Sequence, residues 1–188
     1  MRKTSMFLAA GLAFMLAAPA VRLGAQSAPA PTGYKAEIIR NLEEVQKKLV
    51  ALAEKFPQDK YGWHPEGART TSEVFMHIAA GNYGYATIFG APRLQGMAGV
   101  NLAKVTDKEK VLETLKNSFT YIETAIQNAP ELDKPIKLYG HDATIREAML
   151  VAAAHCHEHL GQLIAYARVN GIVPPWSEPQ STARPAKH

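Results

Sequence analysis

The chain has 188 residues, a formal net charge of +4 at pH 7 and a single cysteine. This length suffices for a domain with its own hydrophobic core, and the lone Cys156 excludes an intramolecular disulfide. No cluster of lysines and arginines is interleaved with aromatic residues, so we expect no binding to nucleic acid.

Residues 1–25 have the composition of a secretory signal peptide. Two basic residues precede an uncharged apolar run, and small residues follow it. The run is too short for a comfortable transmembrane helix. We therefore expect an exported protein, periplasmic or secreted, with no stable membrane anchor after cleavage. Cleavage could follow Ala20, Ala25 or Ala30, of which we favour Ala25, and residues 26–33 would then form a linker.

The first predicted helix extends from about Tyr34 to Phe56, and Pro57 ends it. Apolar residues recur along it at spacings of three and four, which places them on one face with charged residues opposite. This face comprises Ile38, Leu42, Val45, Leu49, Leu52 and Phe56. The pattern is typical of a helix that packs one side into a core.

The second predicted helix opens at the sequence TTSE and extends to about Phe89. Thr70 and Glu73 fit a capping box, in which the threonine side chain accepts from the N3 amide and the glutamate accepts from the cap amide. The expected inward stripe comprises Val74, His77, Gly81, Gly84 and Ile88. Its glycines would let another helix approach closely or leave room for a ligand.

Two further helices are predicted in the C-terminal half of the chain. The third opens at TDKE, where Thr106 and Glu109 fit a second capping box. Its apolar stripe comprises Val111, Leu115, Phe119, Ile122 and Ile126. The fourth opens at TIRE, where Thr144 and Glu147 fit a third box, and it extends to about Asn170.

These patterns together predict an all-α protein. We find no strand alternation, and four amphipathic helices that share one core most simply form a four-helix bundle, here over residues 34–173. Residues 174–188 form a Pro-rich tail, expected to be largely without regular structure. The long connection between the second and third helices leaves the bundle topology open.

Three histidines alternate in the sequence AHCHEHLGQ of the fourth helix, residues 154–162. A helix turns about 100° per residue, so His155 and His159 lie one turn apart on the same face. The inward stripe comprises Ile145, Met149, Ala152, Cys156, His159, Leu163 and Tyr166. His157 is expected to face away from it.

The paired histidines point to a metal site that needs a third ligand. Two imidazoles alone bind a transition metal weakly, and a catalytic zinc-type site has three protein ligands and an open position. His77 is the only histidine in the interior of another predicted helix, so we predict a site of His77, His155 and His159. The alternative is a hydrogen-bonded buried cluster, although three buried imidazoles without partners would be costly to desolvate.

Other residues near the pair have weaker signals. His155, Glu158 and His159 match the inverted zinc-peptidase pattern H-x-x-E-H, in which the acid is a general base. The only acid downstream is Glu178, which disfavours a peptidase, but Glu158 remains the candidate catalytic residue. Gln162 is a candidate to orient a ligand. The loop residue Trp63 could line the mouth of a pocket, and Cys156 is expected to pack in the core.

The chain resembles the DinB-like family. The resemblance is carried by SEVFMHIAAGNY around His77, by HCHEHLGQL around His155 and His159, and by the ending ARVNGIVPPW. It implies a four-helix bundle, often a homodimer, that holds a divalent transition metal, zinc or nickel, on those three histidines. Well-understood relatives transfer or isomerise substrates with low-molecular-weight thiols.

Three functions compete at this point. The first is an exported metal-dependent enzyme, a hydrolase or transferase, which acts on a small-molecule substrate through an open coordination position. The second is a non-catalytic bundle that binds a metal or a small ligand. The third is a metal-free bundle that mediates protein contacts. An open coordination position separates the first two, and metal content separates the third.

Overall fold

Four α-helices make up most of the chain that the structure, a computed structural model, describes at residues 32–94 and 101–178. They are α1 (Tyr34–Lys55), α2 (Thr71–Ile88), α3 (Lys108–Asn128) and α4 (Ile145–Val169). The all-α four-helix bundle predicted from the sequence is therefore confirmed. The predicted leader and most of the linker lie outside the described residues.

The helices are not arranged around the bundle in chain order. α1 packs against α3 and α4, and α2 packs against the same two helices. α1 and α2 therefore occupy opposite corners, as do α3 and α4. This arrangement settles the topology that the sequence left open, and it brings α2 and α4, the two helices that carry the inward histidines, side by side.

The predicted stripes of three helices form the core. Every residue of the α1, α3 and α4 stripes is buried. Thr70 caps α2 with the complete capping box, and Thr144 accepts from the amide of Glu147 at the start of α4. The predicted cap of α3 is wrong by one residue, because the side chain of Asp107 rather than Thr106 accepts the N3 amide, that of Lys110.

The predicted inward stripe of α2 is wrong in part. Val74 is buried, but His77 and Gly81 are half-buried and Gly84 is exposed. The buried face is displaced around the helix and comprises Thr71, Ser72, Val74, Phe75, Met76, Ile78, Ala79, Asn82, Tyr85 and Ala86. Apolar side chains occur nearly all round this helix, so the periodicity has little directional information.

A β-hairpin between α3 and α4 contradicts the expectation of no strands. β1 (Pro135–Leu138) pairs antiparallel with β2 (His141–Thr144). The turn residues Tyr139 and Gly140 both have positive φ, at 50° and 90°, as a two-residue type I′ turn requires. Strands of four residues, half of them exposed, are too short to show a clear alternation of apolar and polar residues.

The chain returns to α1 after α4. Pro174 is buried, a short 3₁₀ turn spans Pro175–Ser177, and Glu178 lies 2.6 Å from the Lys55 ammonium of α1. Glu178 therefore pairs with a lysine and does not join the histidines. Among the helices of the described residues, none is long and apolar enough to cross a membrane.

Candidate functional site

His77 of α2 and His155 and His159 of α4 form a cluster between the two helices, called the histidine cluster below. One nitrogen from each ring lies within 4.8 Å of the others. The ring centroids are 4.6 to 5.0 Å apart, and the rings are tilted edge to face. His159 is buried, with 9% of its surface exposed, while the other two rings are half-buried.

The nitrogens of His77 and His155 face each other directly. Their Nε2 atoms are 3.2 Å apart. Two imidazole ligands of one tetrahedral ion at a metal–nitrogen distance of about 2.0 Å would have nitrogens roughly 3.3 Å apart. The same separation fits a hydrogen bond from one neutral ring to the other.

Both facing rings are held neutral by their surroundings. Burial lowers the pKa of His155 to about 4, with further contributions from the charges of His159, His77 and Arg69. Burial also lowers the pKa of His77, together with Arg69 and His159. Because a metal binds the unprotonated imidazole, these rings are available as ligands at neutral pH.

A chain of hydrogen bonds sets the tautomer of His159. The backbone carbonyl of Arg69 can only accept, so the Tyr166 hydroxyl donates to it at 3.1 Å. The same hydroxyl accepts from Gln162 Nε2 at 2.9 Å. Gln162 Oε1 then faces His159 Nδ1 at 2.9 Å and must accept its proton. His159 therefore carries a hydrogen on Nδ1, and in the neutral ring the lone pair available to a ligand is on Nε2.

Gly81 of α2 leaves the space that the His155 ring occupies. A Cβ atom on Gly81 would lie only 2.6 Å from Cε1 and 3.1 Å from Nδ1 of His155. The helix backbone therefore forms the wall against which this ring packs. Nδ1 of His155 is buried, and it has no hydrogen-bond partner among the described residues.

A cleft of about 540 Å³ opens beside the cluster and reaches His77. It is lined by Arg69, Glu73, Met76, His77, Ala80, Tyr83, Asn101, Leu102 and Ala103. Its volume is within the usual range of small-molecule sites. Arg69 and Tyr83 are not among the residues predicted from the sequence. Arg69 lies outside the motifs, Tyr83 is only the last residue of SEVFMHIAAGNY, and the cleft forms where α2 packs against the segment before α3.

A sequence profile described as the DinB superfamily matches residues 41–163, nearly two-thirds of the chain and all three clustered histidines. The chain is a member of the DinB superfamily. The resemblance drawn from the motifs is thereby confirmed.

A solved structure supports the fold assignment of this DinB superfamily member. The crystal structure of a DinB-like protein from Bacillus subtilis superposes with a TM-score of 0.61 and is 22% identical in sequence. The match covers 77% of this chain and 99% of the other. At this identity the likeness shows the shared fold. Among proteins with curated functions, none matches the chain significantly.

The other residues that the sequence singled out lie outside the histidine cluster. His157 faces away, as predicted, with Nε2 3.0 Å from Oδ1 of Asn41. Glu158 is exposed on α4. Trp63 does not line the cleft that reaches His77. Its half-buried ring packs edge-on against Tyr166, with centroids 5.2 Å apart.

Cys156 lies on the buried side of α4. Burial raises the pKa of its thiol to about 12, so it is not a reactive thiolate. Its Sγ donates to Oδ1 of Asn82 at 3.4 Å, and Nδ2 of Asn82 donates to Ser118 Oγ at 3.1 Å. These buried hydrogen bonds join α4, α2 and α3. In the sequence they are indicated only by Asn82, a single asparagine in an apolar helix.

Proposed function

We propose that this protein is a divalent-metal-dependent enzyme, of hydrolase or transferase type, that holds zinc or nickel on His77, His155 and His159. The single observation that supports it best is the convergence of three imidazole nitrogens within 4.8 Å. Imidazole is a preferred ligand of both ions. Three protein ligands would leave a coordination position open, as in catalytic zinc sites.

The surroundings of the cluster fit such a group. His77 and His155 are neutral at physiological pH because burial lowers their pKa values. The Gln162 carbonyl oxygen fixes the unprotonated Nε2 of His159 toward the cluster, which is the role that outer residues have in metal sites. If Nε2 of His155 bound the ion, the proton of that ring would lie on Nδ1, which has no hydrogen-bond partner among the described residues.

The chemistry would divide between the ion and the protein. A divalent ion held there supplies Lewis acidity and lowers the pKa of a bound water or thiol. His77 belongs to both the cluster and the cleft wall, so a substrate in the cleft lies beside the cluster. Glu158 is our candidate for the proton acceptor, since it directly precedes His159 on α4 and is the acid of the H-x-x-E-H pattern.

The cellular setting and partners belong to the proposal as well. We propose export to the periplasm or beyond, supported by the basic and apolar residues of the leader, and assembly as a homodimer that acts on a small molecule. Fractionation of cells that express the full chain tests export, and light scattering of the processed protein tests the dimer. Retention in the cytoplasm or a monomeric mass would contradict the respective part.

Elemental analysis of the processed protein, purified without a histidine tag, tests the metal site. About one transition metal per chain is expected. His77→Ala should lose it, together with the thermal stabilisation of about 2.7 kcal/mol that a ligand gives at one hundred times its Kd. The matched control His157→Ala should keep both, because His157 faces Asn41. Full occupancy in His77→Ala would refute the three-histidine site.

The role of Glu158 can be tested on the metal-loaded protein. Glu158→Gln should retain the metal, because the side chain is exposed and outside the cluster. A lost general base lowers rates by about 10²- to 10⁴-fold. Hydrolysis of an activated ester such as p-nitrophenyl acetate supplies the readout, and an unchanged metal-dependent rate would remove Glu158 from the mechanism.

A further inference from the structure

The cleft beside the histidine cluster is lined by an arginine whose guanidinium forms no ion pair among the described residues. Arg69 lines the cleft together with His77. Within residues 32–94 and 101–178, no carboxylate lies within ion-pair distance of the Arg69 guanidinium. A guanidinium presents its N–H donors in a planar fork that matches the two oxygens of an oxyanion.

The backbone of Arg69 is tied to the cluster. Its carbonyl accepts from the Tyr166 hydroxyl, which accepts from Gln162, whose own carbonyl oxygen accepts from His159. Arg69 also directly precedes Thr70, the cap of α2, whose side chain accepts from the Glu73 amide. These bonds hold the base of the Arg69 side chain at a fixed place relative to the cluster.

The charges that line the metal-free cleft favour a monoanion over a dianion. Glu73 also lines it, and its carboxylate accepts from the Thr70 amide at 2.8 Å. This bond lowers the pKa of Glu73, so the carboxylate is ionised at neutral pH. Without a bound metal, the formal charges of Arg69 and Glu73 cancel, so a dianion such as a phosphate monoester would meet more repulsion from Glu73 than a monocarboxylate would.

The rest of the cleft wall is mostly apolar. Apolar side chains contribute on two sides, from Met76, Ala80, Leu102 and Ala103. The side chain of Asn101 accepts from the Ala103 amide. The Tyr83 ring packs against Tyr121, with centroids 5.6 Å apart. An apolar wall with one unpaired cation suits an amphipathic small molecule.

We propose that the cleft binds small organic monocarboxylates with an apolar tail, whose carboxylate pairs with Arg69 while the tail lies along the apolar wall beside His77. This inference rests on the proposed function, because it names the substrate class of the same site. Arg69 is thus a specificity-determining residue that the sequence motifs do not include.

Titrations followed by ¹H–¹⁵N correlation spectra test the inference. Hexanoate is the probe, with hexyl phosphate and hexan-1-ol as comparisons, added to both zinc-loaded and EDTA-treated protein. The variants are Arg69→Met, which removes the charge and keeps the apolar stem, and Arg168→Met. Arg168 is a matched control because it is exposed on α4 and does not line the cleft.

Hexanoate is expected to bind wild type and Arg168→Met equally, and Arg69→Met about two- to fivefold more weakly, since Arg69 is exposed and an exposed ion pair contributes at most about 1 kcal/mol. Hexyl phosphate and hexan-1-ol should bind EDTA-treated wild type more weakly than hexanoate. Equal hexanoate affinity in Arg69→Met, tighter binding of hexyl phosphate to the EDTA-treated protein, or no hexanoate binding to wild type would each overturn the proposal.

The two proposals fail in distinguishable ways. Protein without metal in elemental analysis, with Arg69-dependent hexanoate binding in the EDTA-treated form, would refute the metal site and support the carboxylate cleft. Protein that holds zinc on the histidine cluster but shows no dependence on Arg69 would refute the cleft assignment and leave the metal site standing.

Discussion

Replacement of Gly81 by alanine tests the position of His155 most directly. The new Cβ would lie 2.6 Å from Cε1 of His155, about 1 Å short of the 3.5 to 4.0 Å at which carbon atoms pack. Overpacking of this kind costs about 1–3 kcal/mol. Alanine is favoured over glycine in a helix by about 1 kcal/mol, so the net loss of stability without metal should be roughly 0 to 2 kcal/mol.

Gly84→Ala is the matched control on the same helix. Gly84 is exposed, and a Cβ there would meet nothing within 4 Å. This variant should gain up to about 1 kcal/mol from helix propensity alone. Because both substitutions change helix propensity equally, their difference in unfolding free energy isolates the contact with His155 and should be about 1–3 kcal/mol.

The same displacement should weaken metal binding. Ligand geometry must hold within roughly 0.5 Å, so a ring moved by about 1 Å should lower zinc affinity about tenfold or more. Urea unfolding of EDTA-treated protein measures the stability, and competition with a chromophoric chelator measures zinc affinity. If Gly81→Ala matches Gly84→Ala in both assays, His155 does not pack against α2 and the cluster is wrongly placed.

Two further outcomes are expected. Gln162→Ala should lower zinc affinity about 10- to 100-fold in the chelator competition, because His159 loses the acceptor that fixes its tautomer; unchanged affinity would refute that role. Burial and the charge of Glu43 raise the pKa of Glu123 to about 7. The native protein therefore binds one more proton than the unfolded chain between about pH 4.5 and 7. The free energy of unfolding of the wild type consequently falls as pH rises through that window. Glu123→Gln should therefore raise the urea midpoint at pH 8 but not at pH 5; an equal gain at both, or a matching gain from Glu113→Gln on the exposed side of α3, would contradict this.

Local sequence determined the helices and most of the histidine geometry. The stripes of α1 and α3 were readable because each pairs an apolar face with a charged one, so the period of 3.6 residues has a clear direction. The relation of His155 to His159 follows from one helical turn, and the outward direction of His157 follows from the same rotation. These features depend on neighbours in sequence, which is why they needed no knowledge of the fold.

Tertiary packing decided the features that the periodicity left ambiguous. α2 is apolar on most of its circumference, so only its contacts with α3 and α4 determine which side is buried and place His77 half-exposed beside a cleft. The hairpin is too short to show an alternation, and its turn depends on the positive φ of Tyr139.

The site itself shows the same division. The sequence alone supplied three histidines at helical positions and the glutamine one turn after His159. The bundle order 1-3-2-4 places α2 beside α4 and so joins histidines 78 residues apart. The same packing places Arg69 at the cleft and aligns the hydrogen bonds that lead from His159 to the Arg69 carbonyl. Contacts between residues so distant in the chain arise from the burial of whole helix faces, which no local pattern specifies.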